Sequence, residues 1–117
     1  MKLYVSEDEE SLEKKMVSTF PQGDYDESDT VLILPGGLGC LNDIIQSFSD
    51  QKDTYIYNKN GVFDSILRKL EYSYQEGRIK KSPLEEMTIS EDFMELLGKL
   101  EEKKDGKIND GQNSQLL

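Results

Sequence analysis

The run Pro35-Gly36-Gly37-Leu38-Gly39-Cys40 carries the residues best suited to chemistry, because it follows directly on the apolar stretch TVLIL at residues 30–34. Glycine lets a backbone turn tightly and come close to a ligand. Leu41, Ile44, Ile45 and Phe48 then recur at i, i+3, i+4 and i+7, marking one face of a helix that starts near Gly39 or Cys40. Such a helix start aims unbonded N–H groups and a positive dipole end at an anion, and phosphate is the natural occupant. The spacing matches neither the dinucleotide G-x-G-x-x-G nor the P-loop. The residues alone therefore leave two readings open, an anion cradle and a tight strand-to-helix turn. The position favours a ligand, since open parallel sheets bind at the carboxyl ends of their strands.

Few other groups can act. The 117 residues include no His and no Trp, which removes His-based nucleophile and base pairs and most imidazole metal sites. Cys40 is the only cysteine, so an intramolecular disulfide and a Cys-cluster metal site are excluded. Neither a metal nor a cofactor is expected. Asp43, read in the first turn of the helix, would be favoured by the dipole whatever its role. Lys14 and Lys15 read as a solvated helix face, Glu7 to Glu10 as an acidic helix start, and the tyrosines as core and interface aromatics.

Fourteen Lys and Arg against 24 Asp and Glu give a net charge of −10. That balance repels nucleic-acid phosphates and anionic lipid at long range, and the basic patch at residues 78–81 is too short to offset it. The sequence has no secretory segment and no apolar run near the roughly 20 residues that span a bilayer. A cytoplasmic protein that binds neither nucleic acid nor membrane is expected.

The elements that must position the turn alternate. Residues 2–5 are β-prone, and Ser6 with Glu9 fits a capping box for a helix over about residues 7–19, ended by Pro21. A polar loop at residues 21–28 leads to the strand at 30–34, whose unbroken apolar pattern suits burial on both faces. Residues 54–57 (TYIY) read as a third strand and Asn58-Lys59-Asn60-Gly61 as a turn. Phe63, Ile66, Leu67, Leu70 and Tyr74 mark a helix that Gly77 can close. After a polar stretch broken by Pro83, residues 87–89 read as a fourth strand, Ser90 as an N-cap, and Phe93, Leu96, Leu97 and Leu100 as a last amphipathic helix. This order predicts an α/β fold, a small Rossmann-like parallel sheet of about four strands with helices on its faces. One domain over residues 1–103 and a mobile polar tail over 104–117 are expected.

Residues 35–43 resemble the P-G-G-x-G-T-x-x-E signature of the LOG ("lonely guy") family, the lysine decarboxylase-like proteins. Residues 58–79 resemble that family's N-x-x-G-Y-Y-x-x-L-L segment ending in E-G-F-I, and residues 87–102 its closing strand and helix. The resemblance implies a Rossmann-like hydrolase that cleaves the N-glycosidic bond of a nucleoside 5′-monophosphate such as AMP, giving free base and ribose 5-phosphate. It implies phosphate binding by Gly36, Gly37, Gly39 and Cys40, the last standing where the family has Thr. Asp43 stands at the catalytic Glu, and Lys14 is nearest to the family's catalytic Arg. A homodimer is implied. Nothing here resembles a pyridoxal phosphate lysine site, so lysine decarboxylation is not expected. Family members begin with further β-α units, so the resemblance implies a pocket that is incomplete, completed by a second chain, or part of a longer reading of the gene. The alternative is a non-catalytic phosphate-binding or oligomerisation module, or a degenerate fragment.

Overall fold

The computed structural model describes residues 1–6 and 10–106. Four strands, β1 (Leu3–Val5), β2 (Thr30–Ile33), β3 (Asp53–Tyr57) and β4 (Thr88–Ser90), form one all-parallel sheet in the order β1-β2-β3-β4. This is the small α/β Rossmann-like arrangement that the alternating pattern predicts. Register pairs Tyr4 with Val31, Leu32 with Tyr55, and Ile56 with Ile89. All four residues of β2 are buried, as its unbroken apolar run requires.

Strand alternation sends successive side chains to opposite faces and makes two cores. Leu3, Leu32, Leu34, Tyr55 and Tyr57 face α5 (Phe93–Lys104), which lays Phe93, Leu96, Leu97 and Leu100 against them. The chain after α1 (Leu12–Met16) adds Val17 and Phe20 to that core. On the other face Val31, Ile33 and Ile56 meet Cys40 and Ile44 of α2 (Gly39–Ser49) and Leu67 of α3 (Asp64–Gln75). Each fully buried Leu or Ile contributes about 1.5–3 kcal/mol relative to exposure.

Several local expectations are corrected. The first helix is five residues long, and its N-cap is Ser11, whose Oγ accepts from Lys14 N–H at 3.1 Å. Ser6 is drawn into the sheet instead, its Oγ accepting from Leu34 N–H at 3.1 Å; Glu9, the other half of the predicted box, lies outside the described residues. The helix stops early because Val17, Ser18 and Thr19 are poor helix formers and the N–H groups of Val17 and Ser18 tighten onto Lys14 and Lys15 carbonyls. Asp92, not Ser90, caps α5, accepting from Met94 N–H at 3.0 Å, while Ser90 Oγ accepts from Asp92 N–H at 3.0 Å. Pro83 starts the one-turn α4 (Pro83–Glu86), where its missing N–H costs nothing. Helix α5 runs through Lys104, whose ammonium sits 4.6 Å over the Phe20 ring. The remainder of the expected tail, residues 107–117, lies outside the described residues.

Helices α2 and α3 end alike. In both, the residue after the cap has positive φ (Gln51 at 60°, Gly77 at 78°) and the next N–H reaches back five residues: Lys52 to Ser47 and Arg78 to Ser73. Gly77 adopts this conformation without strain, and Gln51 does not. Among the described residues no helix is long and apolar enough to cross a membrane.

Candidate functional site

The glycine turn leaves the carboxyl end of β2, the central position that its buried pattern predicts, and enters α2 at Gly39. Leu38 occupies the N-cap with no side-chain hydrogen bond, and the first turn of α2 has no acidic residue. By contrast α1 is capped by Ser11 and α5 by Asp92, while α3 has Asp64 in its first turn. The N–H groups of Gly36, Gly37, Leu38 and Gly39 donate to no described residue. An eleven-residue helix therefore presents its positive end and unbonded donors at an exposed turn.

The glycines themselves are informative. A Cβ built on Gly37 or on Gly39 meets no atom within 4 Å, and neither residue has positive φ. Neither packing nor backbone conformation thus requires glycine there. What a side chain would occupy is the open space in front of the turn, where a ligand would approach.

Cys40 behaves differently from the glycines. Its side chain is buried, its Sγ donates to Gly37 O at 2.8 Å, and its N–H donates to the same carbonyl at 3.3 Å. Both donors close the turn on itself, so Cys40 shapes the loop and turns its thiol away from solvent.

Asp43 lies in the second turn of α2, since that helix begins at Gly39, and not in the first as its sequence position suggested. Its carboxylate is half-buried and accepts from Tyr4 Oη at 3.3 Å. Tyr4 belongs to β1 and shares the α2 side of the sheet with Val31 because the two are register partners. Around this pair is a small aromatic and acidic cluster. Tyr25 packs edge-on against Tyr4 with ring centroids 5.6 Å apart, and its hydroxyl donates to Asp50 at 2.7 Å. Burial, then the Asp50 hydrogen bond and the charges of Asp50, Asp43 and Asp26, push the Tyr25 hydroxyl well above its ordinary range. Hydrogen bonds from Gln46 and Tyr25 hold the exposed Asp50 below the usual carboxylate range. The Lys52 ammonium lies 4.3 Å from the Tyr25 ring centre and donates to the carbonyls of Tyr25 and Ser28 at 2.6 and 2.7 Å, so the polar loop is tied to the start of β3.

Lys14 projects from α1 and pairs with Glu10 at 3.9 Å. The chain of α1 packs on one face of the sheet and α2 on the other, so the two candidate charged residues belong to elements on opposite faces.

Two side chains that order neighbouring elements were given no role from the sequence. Tyr4 has no local signal, because its contact with Asp43 depends on pairing across 39 residues. Asn58 is buried at the carboxyl end of β3; its Oδ1 accepts from Phe63 N–H at 2.7 Å and its Nδ2 donates to Asp64 at 2.8 Å, ordering the turn into α3. No family model and no curated protein matches this chain.

Proposed function

We propose that this chain is a nucleoside 5′-monophosphate-binding domain related to the LOG phosphoribohydrolases. The observation that carries the reading is the Gly36–Gly39 turn: unbonded donors, an uncapped helix start and, at Gly37 and Gly39, glycines that the fold itself does not require. In this reading Gly36, Gly37 and Gly39 receive the 5′-phosphate on backbone N–H groups, and Cys40 keeps the turn in shape. Asp43 is the carboxylate offered to the ribose, where a developing oxocarbenium charge needs a close anion, and Tyr4 positions it. Lys14 is the cationic partner from α1. The reading includes a homodimer, for which Leu38 and Ile45, exposed on the outer side of α2, offer apolar surface; sedimentation equilibrium measures it directly.

A second reading is a binding module without turnover. It is favoured by the engagement of both charged candidates within the chain, Asp43 by Tyr4 and Lys14 by Glu10. Incubation of the pure protein with AMP, followed by chromatography for adenine, separates the two. Adenine release that Asp43→Asn abolishes supports hydrolysis. A melting temperature raised by AMP without adenine supports the module. Neither release nor a thermal shift at millimolar AMP refutes both.

A further inference from the structure

A cleft of about 620 Å³ lies along the outer edge of β4, and its lining includes no residue of the glycine turn. Its volume is within the roughly 300–1,000 Å³ of small-molecule sites. Leu67 of α3, Leu84 of α4, Met87 and Ile89 give it an apolar lining, and Leu84 remains 54% exposed. Four charged side chains complete the wall: Asp64, Arg68, Glu71 and Lys99.

Those charges are unequally satisfied. Asp64 accepts from Asn58 Nδ2 at 2.8 Å, and Glu71 accepts from Ser82 Oγ and Gln75 Nε2, each at 3.0 Å. Both carboxylates are thus held by neutral donors of the chain. Arg68 and Lys99 form no ion pair or side-chain hydrogen bond with any described residue. The wall is thus balanced, two carboxylates against two cations, and of the four only the cations lack a polar partner among the described residues. The strand adds a donor. Asn58 N–H donates to Ser90 O, and in a parallel ladder alternate residues bond the same neighbour, so the N–H of Ile89 is directed outward at the edge.

We propose that this cleft binds a small amphipathic anion, a medium-chain carboxylate whose alkyl body lies on Leu67, Leu84 and Met87. Its head group lies between Arg68 and Lys99 and within reach of Ile89 N–H. An apolar lining, acids already hydrogen-bonded within the chain and two cations with donors to spare favour a ligand with both an alkyl body and a negative head. This is independent of the glycine turn.

The test is titration of the ¹⁵N-labelled protein with octanoate and, separately, with 1-octanol, read from amide chemical shifts. Octanoate is expected to move Ile89, Leu67 and Leu84 saturably and to leave residues 36–43 in place. Arg68→Gln and Lys99→Gln, both exposed positions, should keep the native spectrum while each weakens octanoate by about tenfold, the scale of one charged hydrogen bond. Octanol should bind at least about tenfold more weakly than octanoate for the same reason. Equal binding of acid and alcohol, indifference to both substitutions, or shifts confined to other surfaces overturn the proposal. Competition by AMP would also overturn it, by assigning the cleft to the nucleotide.

Discussion

Replacing Gly37 or Gly39 by alanine separates the ligand's demands from the fold's. Each added methyl enters space empty to 4 Å, on a backbone that already has ordinary φ. The unliganded protein should lose nothing, and Gly39→Ala, in the first turn of α2, should gain up to about 1 kcal/mol from helix propensity. A phosphate seated on the turn would meet the same methyl. At AMP a hundredfold above its Kd, the wild-type chain gains about 2.7 kcal/mol of stability. If the methyl weakens binding a hundredfold, the same AMP concentration only equals the new Kd, and the gain falls to RT ln 2, about 0.4 kcal/mol. At about 4 °C per kcal/mol for a domain of this size, the AMP-induced rise in Tm drops from about 11 °C to about 2 °C. Differential scanning fluorimetry with and without AMP reads both quantities. A full AMP shift in the variants would refute the placement of phosphate on this turn. Variants that melt well below wild type without AMP would show that the fold does need these glycines.

Two further outcomes test the local physics. Gln51 holds a positive φ of 60° in the motif where α3 uses Gly77. Gln51→Gly should relieve about 1–2 kcal/mol of left-handed strain against about 0.5–1 kcal/mol of added unfolded-chain entropy, leaving the urea midpoint unchanged or raised; a clear fall would contradict the capping geometry. Tyr55 is pushed up to about 12 by burial first and then by the charges of Asp53 and Glu102, and Tyr25 is raised as well. Between pH 10 and 12 the unfolded chain has released protons that the native chain retains, so this contribution to stability is present below pH 10 and is lost as pH rises through 12. Absorbance at 295 nm should show Tyr25 and Tyr55 ionising late, with the melting temperature falling over the same interval. Ionisation of all six tyrosines together near pH 10 in a folded protein would exclude the burial argument.

Much of the architecture is legible locally because each element carries its own period. The buried run at β2, the i, i+3, i+4, i+7 stripe of α2 and the closing glycine of α3 need only neighbouring residues to be read. Caps were less legible. Ser6 and Ser11 are both competent hydroxyls, as are Ser90 and Asp92 competent caps, and the choice depends on which backbone donor folding brings to each. Leu34 N–H claims Ser6 only because β1 and β2 pair.

The sequence by itself determines an alternating parallel α/β chain and an unusual glycine turn after its most buried strand, since periodicity and glycine content are properties of adjacent residues. Tertiary structure alone decides that Gly37 and Gly39 border open space, that the Cys40 thiol turns back on the Gly37 carbonyl, and that Asp43 meets Tyr4. The same holds for Arg68 and Lys99, which lie 31 positions apart on α3 and α5 and border one cleft along β4. The physical reason is shared: a side chain's partner across tens of residues is selected by strand register and by the face on which each helix packs, and neither is encoded in any local window.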